Sequence, residues 1–271
     1  MKTALHRSRF LLHALAFLLL GALGGAAGAQ ETATIVDIPT RPGITQRLLV
    51  LGPPDARAAV ILLAGGHGGL QISSAGTFGW GAGNFLVRTR QLFAERGLRV
   101  VIPDAPSDRQ SAPYLAHFRQ TAEHVADLKA VIAWTRAQVK APVWLVGTSH
   151  GTQSAAFAAT ELAAPDGPDG LVLSATILSD ARALPVPVMP LDRLRIPVLV
   201  VHHEQDACKH CAFADVPRMM EKLDAVPRKQ LLAFQGGQSR GDPCEAFAHH
   251  GFNGLERDAV TQIAAWILAA P

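Results

Sequence analysis

Residues Val143-Trp144-Leu145-Val146-Gly147-Thr148-Ser149-His150-Gly151-Thr152 decide how the chain is read. Four apolar residues run into Gly-x-Ser-x-Gly, and an Ala-rich helical stretch over 152–164 follows. Such a pattern suits a sharp strand-to-helix turn that lifts a serine hydroxyl clear of a sheet. Glycines two positions either side leave room for that turn. A second match, Gly237-Gln238-Ser239-Arg240-Gly241, lacks the context, because Asp242-Pro243 follows it and cannot carry a helix through its first turn in the same way. Ser149 is the nucleophile candidate, and Ser239 reads as a loop serine.

On either side of this stretch, apolar runs of strand length alternate with helical patterns. Strands are expected at 45–51, 58–64, 98–103, 142–146, 170–177, 197–201 and 229–234. Helices are expected from Asn84, as a cap, to Arg96, then at 120–139, 152–164, 216–223 and 255–269. In the 120–139 helix, Val125, Leu128, Ile132 and Val139 form the expected apolar stripe. Continuous apolar strands separated by helices predict an α/β fold, with a mainly parallel central sheet and helices on both faces. The Pro-rich stretch 184–197 reads as an irregular connection over one end of the sheet, too short for a lid domain.

Composition supports a folded chain, with 49% hydrophobic and 17% charged residues among 271. The net charge of +3 is local, since Lys2, Arg7 and Arg9 precede any acidic residue. Setting those three aside from the 25 basic residues leaves 22 against 22 acidic ones, so no electrostatic footprint for nucleic acid exists. That basic start, the apolar run from Phe10 to Leu23 and Ala27-Gly28-Ala29 read as a signal peptide over 1–29. The expectation is a secreted or periplasmic protein, with 30–271 as a single domain and no membrane attachment after cleavage.

A serine hydroxyl needs a base, an orienting acid and oxyanion donors. In the strand–turn–helix class they follow in the order Ser, acid, His. The strand at 197–201 leads into His202-His203-Glu204-Gln205-Asp206, which offers Asp206 as the acid and Glu204 as its substitute. After the last strand comes His249-His250-Gly251-Phe252, where His250 is favoured over His249 as the base. One oxyanion donor is the His150 amide, at the positive end of the following helix. The other is expected from Gly66 or His67, in the Gly65-Gly66-His67-Gly68-Gly69 loop.

With these parts in place, the chain resembles the α/β-hydrolase superfamily over nearly all of 30–271. The resemblance rests on Gly147 to Gly151, Asp206 and His250-Gly251-Phe252. It implies the α/β-hydrolase fold with a minimal cap, Ser149 as nucleophile, Asp206 as orienting acid and His250 as general base. The implied activity is hydrolysis of an ester, thioester or related acyl bond of a small substrate, without cofactor or metal. Gly66-His67-Gly68-Gly69 departs from the lipase His-Gly-Gly-Gly run, with Leu70 in place of the third glycine, which leaves the second donor open between Gly66 and His67.

The fold would also bring the acid and base loops together, so a Cys208–Cys244 disulfide would tie them, with Cys211–Cys244 and Cys208–Cys211 as competing pairs. A different reading takes His202, His203, Cys208, His210 and Cys211 as the ligands of an exported metal-binding protein. A third is a non-catalytic binding module on a hydrolase scaffold. The loop 71–83, with Phe78 and Trp80, and the segment 179–197 are expected to line the pocket.

Overall fold

Eight strands form one sheet in the order β1-β2-β4-β3-β5-β6-β7-β8, in a computed structural model that describes residues 33–269. They are β1 (Thr34–Arg41), β2 (Ile44–Leu51), β3 (Ala59–Leu63), β4 (Arg99–Pro106), β5 (Val143–Thr148), β6 (Gly170–Ser174), β7 (Val198–His203) and β8 (Lys229–Phe234). β1 and β2 form an antiparallel hairpin and β2 pairs antiparallel with β4. Every pairing from β4 through β3, β5, β6 and β7 to β8 is parallel. The expected signal peptide lies outside the described residues.

β3 shows why continuous apolar runs are needed. Its five residues Ala-Val-Ile-Leu-Leu are all buried, and neighbours along the strand face opposite layers. Ile61 and Leu63 pack with α3 (Ala122–Val139), α4 (His150–Glu161) and α5 (Val216–Glu221). Val60 and Leu62 pack on the opposite face with α1 (Phe85–Arg88), α2 (Arg90–Glu95) and α6 (Glu256–Leu268). Among the described residues no helix is long and apolar enough to cross a membrane.

Three local expectations are corrected. β1 has no apolar run and buries only Ile38, as an edge strand with one wet face does, so the sequence pattern passed over it. The helix expected over 84–96 is two short helices. At Thr89 the hydroxyl donates back to the Phe85 carbonyl (2.6 Å) and α1 ends there. The buried face of α3 includes His124, Asp127 and Thr135, while Val125 is only half-buried. Arg41 on β1 reaches Asp127 (2.8 Å), which compensates its burial.

The connection from β6 to β7 holds two 3-10 turns, Val186–Val188 and Leu191–Arg193, and no α-helix. It anchors itself by burying Val186, Met189, Leu191 and Leu194 against the α3–α5 layer. Among the described residues no α-helical cap is inserted between β6 and β7.

Candidate functional site

The turn after β5 is held in a conformation that only a crowded neighbourhood sustains. Ser149 has φ +52° and ψ −129°, a region that non-glycine residues avoid at a cost of about 1–3 kcal/mol. Its amide donates to Ser174 O on β6 (3.1 Å), and its carbonyl accepts from the Thr152 hydroxyl (2.6 Å). The flanking glycines are required by close approach. A Cβ on Gly147 would lie 2.6 Å from Gly151 O, and one on Gly151 would lie 2.0 Å from Leu63 O. Gly65, two residues past β3, comes nearly as close: its Cβ would stand 2.8 Å from Ser149 Cβ.

At the end of β7 the chain turns, with Asp206 N donating to His203 O (3.1 Å). Both carboxylate oxygens of Asp206 are engaged. Oδ1 accepts from Cys208 N (2.9 Å) and Oδ2 lies 2.9 Å from His250 Nδ1. The Asp206 carboxylate accepts, so Nδ1 of His250 is the donor, which leaves Nε2 as the nitrogen free to act as base. Nε2 is buried without a partner among the described residues. Ser149, His250, His150 and Gly66 line one cavity of about 510 Å³, rimmed by Trp80 and Phe247. Trp80 was expected there; Phe78 instead packs under Arg90, 5.1 Å from its guanidinium carbon.

The alternatives for acid and base lie elsewhere. Glu204 points outward to Gln235 (2.7 Å). His249 stacks flat on His203, with ring centres 4.3 Å apart. Ser239 sits in the exposed loop after β8, not between a strand and a helix. That loop still contributes Arg240 and Gly241 to the cavity rim.

Cys208 and Cys244 form a disulfide, and Cys211 is a buried free thiol whose pKa is pushed well up by burial. The bond ties the Asp206 loop to the segment just before His250. The sulfurs of Cys208 and Cys211 lie within 4.8 Å of each other and of a His250 ring nitrogen, but the Cys208 sulfur is spent on the disulfide. His202 Nε2 accepts from Thr176 N (2.8 Å), and His203 uses Nδ1 for Gln205 N and Nε2 for Gly236 O. Of the His/Cys group expected as metal ligands, Cys208 and His203 are thus committed to internal bonds, His210 Nδ1 lies 2.9 Å from Ser179 O, and His202 Nδ1 has no partner among the described residues.

The oxyanion candidates are built from two loops. His150 opens α4, where the first N–H groups have no acceptor within the helix. Gly66 adopts φ +58°, and a Cβ there would press 2.4 Å into the Trp80 ring. Its carbonyl accepts from Arg119 Nη2 (3.1 Å). The peptide plane then directs the His67 N–H away from Arg119. The His67 ring is held between Trp80 and Tyr114, at 3.7 and 4.3 Å between centres, and lines a neighbouring cavity rather than the Ser149 cavity.

Three supporting residues escaped the sequence reading. Asp104, at the end of β4, accepts from the amides of Leu70, Gln71 and Ala105 with Oδ1 and of Ile72 with Oδ2, and so pins the loop after β3. Arg88 donates to Gly83 O (2.7 Å) and Gly251 O (2.6 Å), joining the α1 entry to the His250 turn. Arg119 holds the carbonyls of Ala64 and Gly66, both at 3.1 Å. A carboxylate at a strand end was a usable signal for Asp104. The two arginines act on backbone carbonyls, which leave no mark in a sequence.

Residues 82–232, more than half of the chain, match the model of the family described as serine aminopeptidase, S33. The match includes Ser149 and Asp206 and stops before His250. No curated protein matches. Among solved structures, the chain is similar to a lidless α/β serine hydrolase of Xanthomonas campestris, with TM-score 0.56, 20% identity and coverage of 89% of this chain and 97% of that one. An esterase of Pyrococcus furiosus gives 0.61 at 12% identity, covering 87% and 90%. A dienelactone hydrolase of Anabaena variabilis gives 0.55 at 13%, covering 89% and 96%. At such identities these likenesses speak to the fold alone, and the family match carries the assignment: the chain belongs to the serine aminopeptidase S33 family of the α/β-hydrolase superfamily.

Proposed function

We propose that the protein is an exported esterase-like serine hydrolase that cleaves an ester, thioester or related acyl bond of a small substrate. The observation that carries this is the strained Ser149 elbow sharing a cavity with His250, whose ring is fixed by Asp206. Ser149 Oγ attacks the acyl carbon while His250 Nε2 takes its proton. The resulting oxyanion is held by the His150 amide and an amide of the Gly66–His67 loop. The tetrahedral species collapses, the carbon–leaving-group bond breaks, and Nε2 returns the proton to the departing oxygen or sulfur. Water, deprotonated by the same nitrogen, then attacks the acyl-enzyme and releases the acid and Ser149. Asp206 keeps the imidazole in the tautomer and orientation this needs.

A cavity of about 510 Å³ suits a small ligand. Export is supported by the basic-then-apolar leader, and the disulfide accords with it. The test is pre-steady-state hydrolysis of short-chain p-nitrophenyl esters. A burst of nitrophenol matching the enzyme concentration, absent in Ser149→Ala, is expected. Equal turnover by wild type and Ser149→Ala would overturn the proposal.

A further inference from the structure

Arg119 is a buried cation without a counter-charge. It is 6% exposed, and no carboxylate among the described residues lies in ion-pair contact with it. Nη1 donates to Ser154 Oγ (2.9 Å) and Nη2 to the carbonyls of Ala64 and Gly66. Nε and one hydrogen of Nη1 have no partner among the described residues. Burial lowers its pKa to about 10, which still leaves it charged at neutral pH. The field of that charge reaches its neighbours. After burial, Arg119 is the next cause holding both His67 and His150 below the ordinary imidazole value. A guanidinium taken out of water without an anion is costly, so a chain that keeps one has a reason to.

The reason lies in the cavity that Arg119 faces. This space, about 460 Å³, shares Gly66 and His150 with the Ser149 cavity, so the two meet at the oxyanion loops. Resting on the hydrolase reading above, we propose that the second cavity is a carboxylate subsite, and that the substrate's acyl portion carries one carboxylate a few bonds from the scissile carbonyl. The carboxylate accepts from an unpartnered N–H of Arg119 while the carbonyl lies over Ser149. An acyl group anchored in this way stays in register after the leaving group departs past Trp80 and Phe247. A single negative charge fits better than a phosphate dianion, because Asp180 lines the same cavity. Burial works against the charge of Asp180, but the Arg182 N–H and the Gln153 amide outweigh it and keep it ionised.

Two readouts test this. The first is the ratio of kcat/KM for p-nitrophenyl hemiglutarate and p-nitrophenyl pentanoate, which differ by the terminal carboxylate. Wild type is expected to favour the hemiglutarate by about tenfold or more. Arg119 also supports the oxyanion loop, so the informative variant is Ala116→Glu, an exposed position on the wall of that cavity. It should cut the preference roughly fivefold or more. The second readout needs no catalysis: glutaramate, with one carboxylate, should raise Tm in wild type and Ser149→Ala, and neutral glutaramide should not. Equal kcat/KM for the two esters with equal Tm effects of the two ligands would overturn the subsite and leave the hydrolase standing. A glutaramate-specific Tm rise without turnover of either ester would retain the anion site and overturn the hydrolase.

Discussion

Gly151 stands where a methyl group would lie 2.0 Å from the carbonyl oxygen of Leu63, in the backbone of a buried strand. Nothing there can give way without moving β3 or α4. Gly241 occupies the same place in the second Gly-x-Ser-x-Gly, with φ +77° and nothing within 4 Å of an added Cβ. The two glycines look identical in sequence and differ entirely in what surrounds them. Gly151→Ala is expected to destabilise by about 3 kcal/mol or more, through backbone overlap. Gly241→Ala should cost about 1 kcal/mol, from its positive φ alone. Urea unfolding of the two variants checks this, and equal losses would contradict the assignment of the elbow to Ser149. Ser149, Asp206 and His250 could be nominated from the sequence because each follows a strand in a fixed order, and the structure brings Asp206 to His250 and places His250 in one cavity with Ser149. Arg119 could not be, because its meaning comes from a missing partner, and an absence of contact is invisible in a chain of letters.

At the scale of elements, the site is a meeting of loops from different strands, and covalent and polar ties hold the loops. The Cys208–Cys244 bond spans 36 residues and restrains the unfolded chain by about 3–4 kcal/mol on the loop-entropy account. It also joins the acid loop to the base loop. Cys244→Ser should therefore lower unfolding free energy by roughly that amount and reduce kcat more than it raises KM, since it loosens Asp206–His250 geometry more than substrate contacts. Unchanged kcat with lowered stability would mean that the disulfide only staples the fold. Adjacent loops bring Cys244 near both Cys208 and Cys211, so the sequence left the pairing open and the structure assigns it to Cys208. The break between α1 and α2 was not legible, since Thr89 is an ordinary helix residue until its hydroxyl turns back to Phe85.

Across the whole molecule, several histidines are kept neutral by their surroundings. Burial lowers His124 to about 3 and His202 to about 4, and His150, buried beside Arg119, falls to about 4, against an ordinary 6.5. The unfolded chain takes up these protons first as pH falls below about 6.5, so acid favours unfolding. The stability they protect is complete near pH 7 and is lost progressively towards pH 4. Between pH 7 and pH 5 each costs on the order of 1–2 kcal/mol. Thermal unfolding across this range should show Tm falling with acidification, and a flat Tm would contradict the burial of neutral imidazoles. The sequence displayed the layered sheet well, because parallel strands buried on both faces read as unbroken apolar runs. It concealed β1, whose wet face breaks the pattern, and the polar cluster of Arg41, Asp127 and His124 inside the α3 layer. Buried polar groups look like surface residues until their partners are known.

In the proposed hydrolase Ser149 is an activated nucleophile assembled by His250 and Asp206. The most direct measurement of this is fluorophosphonate labelling of the folded protein, with the adduct located by mass spectrometry. A single adduct on Ser149, kept in Ser239→Ala and reduced by roughly 10³-fold or more in rate in His250→Ala, is the expected result. An adduct on Ser239, or equal labelling in wild type and His250→Ala, would contradict it.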